Sequence, residues 1–494
     1  MGYTLGVDVG TFETKGVLVA EDGAIIAQAR RAHEMIVPRP GWAEHRAEED
    51  WWGDFVHVTR ALLAQSGIDP QAIRAVACSA IGPCMLPVDR AGRPLMNGVL
   101  YGVDTRAQAE IDWLDATLGA AAIIARGGNA LTSQAVGPKI LWLKRNHPEI
   151  WARTAKIVSA TTYMTYRLTG AWVMDHYTAS NFAPLYDIAA QCWRCDMGDI
   201  CDEALLPRLM WSGEIAGQVT AQAAAETGLV PGTPVTCGTI DAAAEAVSVG
   251  VRAPGDMMLM YGSTVFVIQQ TAARLSDTRL WHAPWLFAGE YAAMAGLATS
   301  GTLTQWFREV VAPGLPRDAA FAQLTAEAEA VPPGARGLIC LPYFSGERTP
   351  IHDPAAKGVF FGLNLTHGRA EMYRAVLEGI AAATRHITET YAEAGAPPAR
   401  VLAVGGGTRN APWLQATSDM TGLEQIVCGT TVGAAYGDAF LAALAVGTAA
   451  RGDIALWNPP AQVIGAGKVA EYDRLYPLYR RLYAQTRDIM ADLG

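Results

Sequence analysis

A carboxylate flanked by glycines stands near the start of the 494-residue chain, in the segment GVDVGTFETK, residues 6–15. Gly10 can adopt a positive φ and lets the backbone approach a ligand, so the amides of Gly10, Thr11 and Phe12 could point at phosphate oxygens. Asp8 would then lie where a phosphate-bound Mg²⁺ needs a carboxylate ligand. The segment predicts a phosphate-binding turn, although an ordinary hairpin with glycine in its turn gives the same pattern.

A second carboxylate, Asp241, follows the strand-like residues 234–240 and precedes residues 242–247, which have strong helix propensity. Aspartate at a helix start commonly caps the helix for purely structural reasons. In phosphoryl transfer, a carboxylate in such a place can instead orient the attacking hydroxyl and accept its proton, while Mg²⁺ and backbone amides hold the charge. Asp241 is therefore either an N-cap or a general base.

Two similar hairpins are predicted to carry these groups. Apolar residues alternate over residues 5–9 and resume over 16–20, which predicts a strand on each side of the first turn. Residues 257–270, MMLMYGSTVFVIQQ, have the same order of strand, Gly-Ser-Thr turn and strand. Two such hairpins suggest two homologous domains that face one ligand, with one hairpin on each side of a phosphate chain.

Strand-like runs alternate with helical patterns along the chain, which predicts an α/β fold. Residues 250–256 combine Pro and Gly with charge between two patterned regions. They predict the boundary between one domain of residues 1–250 and another of residues 251–494. A glycine-rich turn at 405–410 follows a strand and precedes a helical pattern, and such a turn lets a flat ring lie against the backbone.

The composition favours a small-molecule ligand. The net charge is −10, and no block of Lys or Arg is longer than a pair, which argues against nucleic acid and anionic membranes as partners. No apolar stretch has the length of a membrane helix, and the first residues lack the pattern of a signal peptide, so we expect a soluble cytoplasmic protein. Cys192, Cys195 and Cys201 cluster without a fourth ligand at partner spacing, and we predict no metal site there. His33 and His45 suggest nothing beyond surface positions.

Together these segments resemble the FGGY family of carbohydrate kinases, within the superfamily of actin, Hsp70 and sugar kinases. The longest matching signature is LPYFSGERTP at residues 341–350, which is followed by GVFFGL at 358–363 and EMYRAVLE at 371–378. The resemblance covers nearly the whole chain. Shorter matches occur in the family's order at residues 38–44, 51–52, 137–142 and 166–170.

The resemblance implies two ribonuclease H-like α/β domains of the actin-like ATPase type, with ATP in a cleft between them and the sugar against the N-terminal domain. It implies ATP-dependent, Mg²⁺-dependent phosphorylation of a free sugar, with a ketopentose such as D-xylulose converted to its 5-phosphate. Ribulose, an alditol or a deoxy sugar is an alternative substrate, and a non-catalytic nucleotide-binding regulator is an alternative function. Family habit allows a homodimer.

The resemblance also implies roles for individual residues. Asp241 would be the general base and Asp8 would face Mg²⁺. Ser263 and Thr264 would contact the transferred phosphate, while Gly406, Gly407 and Asn410 would hold adenosine. The full set of implied nucleotide-binding residues is Asp8, Gly10, Thr11, Phe12, Lys15, Gly262, Ser263, Thr264, Gly301, Gly406, Gly407 and Asn410.

One expected substrate-binding segment departs from the family pattern. Xylulose kinases typically carry Gln-Met-His-Gly and glycerol kinases Gln-Arg-Glu-Thr where this chain has Ile81, Gly82, Pro83 and Cys84. None of these four offers a strong side-chain hydrogen bond. Because polar groups discriminate sugar hydroxyls far better than apolar ones, the departure puts the usual substrates in doubt and argues most strongly against glycerol.

A second substrate segment, YGVDTR, is similar to the family's Trp-x-Asp-x-Arg pattern, with Tyr101 in place of Trp and a slightly different spacing. Its carboxylate, Asp104, could bind a sugar hydroxyl. Alternatively, Asp104 pairs with Arg106 at the surface, as charged loop residues commonly do.

Overall fold

A computed structural model describes residues 2–316 and 318–493. The chain forms two compact units. The first contains the residues up to Arg252 together with residues 282–292 and 432–459, and the second contains residues 253–281, 293–431 and those from 460 onward. The sequence-based boundary instead assigned all of residues 251–494 to the second domain. Residues 432–459 differ from that expectation because a helix in this segment packs closely against the first strand of the chain.

The elements follow the predicted α/β alternation. The strands are β1 (Tyr3–Val9), β2 (Glu13–Ala20), β3 (Ile25–Ala32), β4 (Glu44–His45), β5 (Ile73–Ala80), β6 (Leu86–Val88), β7 (Gly98–Val99), β8 (Lys156–Val158), β9 (Val173–Asp175), β10 (Tyr186–Asp187), β11 (Cys192–Trp193), β12 (Arg208–Met210), β13 (Ile215–Gln218), β14 (Pro234–Thr236), β15 (Thr239–Ile240), β16 (Asp256–Tyr261), β17 (Val265–Thr271), β18 (Trp281–Pro284), β19 (Tyr291–Gly296), β20 (Ile339–Leu341), β21 (Val359–Phe361), β22 (Arg400–Val404), β23 (Gln425–Cys428) and β24 (Pro460–Ile464). The helices are α1 (Asp54–Ser66), α2 (Gln108–Leu118), α3 (Ala120–Gly127), α4 (Val136–Asn146), α5 (Pro148–Trp151), α6 (Ala160–Thr169), α7 (His176–Ala179), α8 (Ala221–Thr227), α9 (Asp241–Ser248), α10 (Gly301–Val310), α11 (Ala320–Glu329), α12 (Arg369–Glu393), α13 (Ala411–Thr421), α14 (Ala434–Ala445), α15 (Ile454–Trp457) and α16 (Ala470–Asp492).

Each unit is built on a seven-stranded mixed sheet. The first sheet has the order β13-β14-β5-β1-β2-β3, with β15 also paired to β5, and the second has the order β18-β19-β17-β16-β22-β23-β24. Both contain an antiparallel hairpin whose first strand lies parallel to another strand, since β1 pairs with β2 and β5, and β16 pairs with β17 and β22. The predicted α/β fold and both predicted hairpins are confirmed.

The first hairpin is closed by a short turn. The amide of Gly10 donates to the carbonyl oxygen of Glu13 at 3.0 Å. The strand side chains of Leu5, Val7 and Val9 are almost fully buried in the core of the first unit. Gly10 does not use the positive φ that glycine permits. A Cβ at this position would lie 3.1 Å from the Glu13 carbonyl oxygen, so the glycine serves close approach instead.

Helix α14 lies directly against the backbone of β1 and of α9. A Cβ at Gly6 in β1 would overlap the carbonyl oxygen of Ala435, and a Cβ at Gly437 in α14 would overlap the carbonyl oxygen of Ala244 in α9. Both contacts therefore require glycine. This packing places residues 434–445, from the far end of the sequence, beside the carboxyl ends of β1 and β5.

We expect Gly6→Ala to lower the free energy of unfolding by about 3 kcal/mol, because α14 cannot shift without losing its second close contact at Gly437. Urea unfolding of the purified variant measures the change. Gly452→Ala is the matched control in the same unit, because a Cβ there meets no atom within 4 Å; it should change the free energy by less than about 1 kcal/mol. Equal effects of the two substitutions would contradict the packing argument.

Candidate active site

Two carboxylates and a hydroxyl meet at the carboxyl ends of β1 and β5. Asp8 and Ser79 are opposite each other in the parallel register of these strands. The hydroxyl of Ser79 lies 2.7 Å from Asp438 Oδ2 and 3.2 Å from Asp8 Oδ1, and the amide of Ser79 donates to Asp438 Oδ2 at 3.0 Å. Ser79 thus links a residue near the start of the chain to one near its end.

Asp241 is brought to the same place by a neighbouring strand. Strand β15 pairs with β5 so that Thr239 is opposite Ser79. Asp241 is the first residue of α9, where Ile240 occupies the N-cap position, and its Oδ1 accepts the adjacent amide of Ala242 at 2.7 Å. The N-cap alternative is therefore wrong, because the helix begins at Asp241 itself and its N-cap position is one residue earlier.

Strand β15 is itself fixed by a buried carboxylate that the sequence did not single out. Asp175 Oδ2 accepts hydrogen bonds from the hydroxyls of Thr239 at 2.8 Å and Ser212 at 3.0 Å. Asp175 is only 2% exposed, and burial raises its pKa to about 6. The carboxylate holds the strand that presents Asp241.

The acidic groups of this site raise one another's pKa values. Burial raises the pKa of Asp8 well above its usual range, and the charges of Asp241, Asp438 and Glu245 raise it further. Burial likewise raises the pKa of Asp241 to about 7, and that of Asp438 well above its usual range. Among the groups that shift the Asp8 pKa, the charge of Lys15 is the one that lowers it. Lys15 therefore offsets only part of the negative charge around Asp8.

The donor set suits a hard divalent cation. Asp438 is fully buried, and its Oδ1 has no hydrogen-bond partner within residues 2–316 and 318–493. In that part of the chain, no group of three Asp, Glu, His or Cys side chains is arranged to hold a metal ion. Mg²⁺ characteristically takes one or two carboxylates and completes its shell with phosphate oxygens and water, so the residues present fit it.

The remaining predicted phosphate residues of the first unit lie on the hairpin. The side chain of Phe12 is 61% exposed, so this residue can offer a ligand its backbone amide. Lys15 Nζ lies 3.0 Å from Glu13 Oε1, with about two fifths of its side chain exposed. Its contact with a phosphate stays a prediction.

The segment with the unusual sequence adjoins Asp241. The amide of Ile81 donates to the carbonyl oxygen of Val9 at 2.7 Å, and a Cβ at Gly82 would lie 2.8 Å from Ile240 Cγ1. Cys84 is fully buried, and its thiol donates to the carbonyl oxygen of Ile81 at 3.3 Å. Residues 81–84 thus form an apolar wall beside β15, the strand that ends immediately before Asp241.

Tyr101 lies between the phosphate turn and Asp241. Its pKa is raised mainly by burial and also by the charge of Asp241, and it is lowered by the side chain of Thr11. Lys139 fixes the backbone at Tyr101: its Nζ donates to the carbonyl oxygens of Leu100 at 2.5 Å and Tyr101 at 2.8 Å. The role of Tyr101 toward a sugar stays a prediction.

Sequence reasoning quoted the segment around Lys139 without giving the lysine a role. Lys139 is 1% exposed, and burial lowers its pKa to about 8. The signal was available, because the apolar run VGPKILW around this lysine predicts a buried position. Asp438 gave the same signal as a single acid within the apolar segment of α14.

For Asp104 the structure shows the pairing alternative. Both of its oxygens bind the guanidinium of Arg106, at 2.7 Å to Nη2, and Oδ2 also accepts the amide of Ala43 at 2.7 Å. Arg106 additionally binds Glu44 at 2.8 Å. The pair is fully buried, not at the surface as expected, because Arg106 lies against the ring of Trp42 at 3.9 Å. Asp104 therefore presents no oxygen to a sugar in this structure.

The second unit contains a cavity of about 880 Å³ that collects most of the predicted nucleotide residues of that unit. Its volume is that of a small-molecule site. Of the predicted residues, Thr264 does not line it. The lining residues are Tyr261, Gly262, Ser263, Gly301, Thr302, Thr304, Gln305, Phe321, Ala322, Thr325, Tyr373, Gly406, Gly407, Arg409, Asn410 and Trp413.

Backbone contacts fix the two turns that border this cavity. The amide of Gly301 donates to the carbonyl oxygen of Gly262 at 3.1 Å, and a Cβ at Gly301 would overlap that oxygen. Across the cavity, Asn410 caps α13 by accepting the amide of Trp413 at 3.1 Å. Gly405 and Gly406 are exposed at the second of these turns. Contact of a flat ring with this backbone stays a prediction.

Comparison with known proteins divides the chain near the sequence-predicted boundary at residues 250–256. Residues 3–248 match the N-terminal domain of the FGGY family of carbohydrate kinases, and residues 257–446 match its C-terminal domain. A xylulose kinase from Escherichia coli (strain K12) is 30% identical over 99% of this chain and 100% of its own length. A ribulokinase from Geobacillus thermodenitrificans is 27% identical over 97% of this chain and 94% of its own length.

Among solved structures, the xylulose kinase from Rhodospirillum rubrum is similar with a TM-score of 0.92 and 31% identity, covering 99% of both chains. The two mixed sheets, each with its hairpin, define the actin-like ATPase class of fold. The chain belongs to the FGGY family of carbohydrate kinases. It is a sugar kinase, and kinases of this family use ATP as the phosphate donor. Within the described residues, no helix has the length and apolar character needed to cross a membrane.

We expect Asp438→Asn to raise the free energy of unfolding by about 1 kcal/mol at about pH 8, because it removes a buried charge whose pKa is raised by burial and by Asp241. The amide oxygen of Asn can still accept from Ser79. The gain should shrink on acidification to about pH 5, because a raised pKa means that Asp438 takes up its proton at a higher pH than an ordinary aspartate does.

Thermal unfolding without divalent cations measures this difference, and the exposed Asp488→Asn in α16 is the matched control. Adding Mg²⁺ should then stabilise the wild type more than Asp438→Asn. Loss of stability of equal size at both pH values would show that Asp438 acts through packing alone.

Proposed function

We propose that this kinase phosphorylates a ketopentose, D-xylulose, to its 5-phosphate, with Mg²⁺ as cofactor and Asp241 as the general base. The observation that carries the proposal is the Asp241 carboxylate, which is partly exposed and has a pKa raised to about 7. A general base works best when its pKa lies near the working pH. The phosphate turn and the wall of residues 81–84 adjoin it.

In this reaction the sugar hydroxyl oxygen bonds to the γ-phosphorus of ATP as the bond from that phosphorus to the β,γ-bridging oxygen breaks. Asp241 accepts the hydroxyl proton, and ADP leaves with the bridging oxygen. The transition state is loose, so the base orients the hydroxyl and takes its proton late. Backbone amides of the turn at Thr11 and Phe12 would bind phosphate oxygens. The Gly10 amide is not part of this proposal, because it already donates to the carbonyl oxygen of Glu13.

Bound Mg²⁺ would supply positive charge to the phosphates. Asp8 is its proposed carboxylate ligand, and Asp438, tied to Asp8 through Ser79, lies next to it with an unpartnered oxygen. In the second unit, Ser263 and Thr264 are proposed to contact the transferred phosphate. Gly301, Gly406, Gly407 and Asn410 are proposed to hold the nucleotide in the 880 Å³ cavity.

The identity of the sugar is supported by the relatives named xylulose kinase. A second candidate, ribulose or another ketose, is favoured by the apolar side chains at Ile81, Pro83 and Cys84 and by the relative named ribulokinase. An apolar wall discriminates weakly between sugars that differ in one hydroxyl configuration. A homodimer and a cytoplasmic location stay sequence-based predictions.

Asp241→Asn should lower sugar-dependent ADP release by about a thousandfold or more, because no other group is proposed to accept the hydroxyl proton. The measurement is turnover with ATP and Mg²⁺ across ketoses, aldoses and alditols, and D-xylulose should give the highest kcat/KM. ATP binding by calorimetry should be retained, since this carboxylate is not proposed to touch the nucleotide. Undiminished turnover in the variant would refute the role of Asp241, and a higher kcat/KM for ribulose would refute the proposed substrate.

The pH profile tests the same base independently. Asp241 must be ionised to act, so kcat/KM for the sugar should fall about tenfold per pH unit below a midpoint near its pKa of about 7. Burial also raises the pKa of Glu347 in the second unit to about 7. Glu347→Gln should therefore leave the midpoint unchanged, and the residual activity of Asp241→Asn should lose the acidic limb. A profile that is flat down to about pH 5 would contradict the assignment.

A further inference from the structure

The carbonyl groups of the phosphate turn are held by two histidines. His33 Nε2 lies 3.0 Å from the carbonyl oxygen of Gly10, and His45 Nε2 lies 3.0 Å from that of Thr11. The amide of His33 donates to the carbonyl oxygen of Phe12 at 2.9 Å. The expectation that both histidines lie at the surface is wrong, because the hairpin and α1 cover them: His45 is fully buried and the His33 side chain is 3% exposed.

The partners of His45 fix its protonation state. A carbonyl oxygen only accepts, so Nε2 carries the hydrogen that binds Thr11. The indole N–H of Trp51 donates to Nδ1 at 3.1 Å, so that nitrogen has no hydrogen. His45 is therefore the neutral Nε2–H tautomer, and burial lowers its pKa to about 4, in agreement with this assignment.

His33 has acceptors at both ring nitrogens. Its Nδ1 lies 2.8 Å from Asp54 Oδ2, and its Nε2 faces the carbonyl oxygen of Gly10. Both nitrogens must therefore carry hydrogen, which makes the ring an imidazolium. Asp54 is in turn held by Arg31 Nε at 3.0 Å and by the hydroxyl of Thr14 at 3.2 Å. The imidazolium is thus balanced and fixed in orientation.

Because the peptide bond is planar, the contacts to the carbonyls of Gly10 and Thr11 also fix the direction of the amides that follow them. In a trans peptide, the carbonyl of one residue and the N–H of the next point in opposite directions. Because the carbonyls of Gly10 and Thr11 point toward the histidines, the amides of Thr11 and Phe12 point away from them. Neither amide donates to an acceptor within the part of the chain that the structure describes. Successive free amides of this kind form a site for an anion.

We propose that His33 and His45 are positioning residues, which hold the turn at residues 10–12 so that the amides of Thr11 and Phe12 bind the terminal phosphates of the nucleoside triphosphate. This inference rests on the proposed function, because it concerns the same phosphate site. The histidines lie behind the turn and contact no phosphate themselves. The competing explanation is that the two rings, 4.9 Å apart in an edge contact, only fill the core beside Trp51.

The test compares two replacements of His45. Gln can donate to the carbonyl oxygen of Thr11 and accept the indole N–H of Trp51, whereas Leu fills the space and does neither. His45→Leu should raise KM for ATP about tenfold and leave KM for the sugar within about twofold, as expected for loss of one buried hydrogen bond that orients the turn. His45→Gln should keep KM for ATP within about threefold of the wild type.

Thr59→Val in α1 is the matched control, because the hydroxyl of this fully buried residue has no partner in the described residues. It should leave both KM values unchanged. Thermal unfolding of each variant measures its fold stability. If His45→Leu changes both KM values equally, or if Gln fails to restore what Leu loses, the histidine acts only in packing and the inference is overturned.

Direct titration of ATP and AMP into the same variants separates this inference from the proposed activity. AMP lacks the β and γ phosphates, so His45→Leu should weaken ATP binding about tenfold and leave AMP binding unchanged. This result can be obtained even if the wild type phosphorylates no sugar, in which case the proposed function fails alone. Equal binding of ATP by the wild type and His45→Leu overturns the role of His45 whatever the substrate is.

Discussion

Helix α14 contacts β1 and α9 backbone to backbone, and the acidic site depends on that contact. Gly6 and Gly437 leave no side chain between the elements, so the helix lies close enough for Asp438 to reach the amide and hydroxyl of Ser79. The bond to Ser79 then brings the carboxylate of Asp438 next to that of Asp8. A larger residue at either glycine would move the helix and separate the two acids.

Burying several carboxylates close together destabilises the folded protein. This destabilisation is found here at the proposed catalytic site. Asp8, Asp241 and Asp438 all have raised pKa values because burial disfavours their charged forms and each charge disfavours the others. Such a site binds a cation and accepts a proton more readily than isolated surface acids would. The surrounding network of Asp175, Thr239 and Ser212 keeps the strand before Asp241 from relaxing away from its neighbours.

Several buried side chains position the site without being proposed to act in the reaction. Lys139, with its ammonium group buried against two carbonyl oxygens, supports the segment that carries Tyr101. His33 and His45 do the same for the phosphate turn. In both cases a side chain with hydrogens to donate satisfies carbonyls that would otherwise be buried without partners, and so defines which way the neighbouring amides or rings face.

The sequence by itself determined the α/β fold, the two hairpins, the family and the position of Asp241 at a helix start, because these follow from local periodicity, turn residues and ordered motifs. It did not determine the roles of His33, Asp104 or Asp438, since each depends on a partner distant in the chain: Gly10, Ala43 and Ser79 respectively. It also could not assign residues 432–459 to the first unit. Local patterns report which face of an element is apolar, whereas only tertiary packing decides which buried polar group meets which.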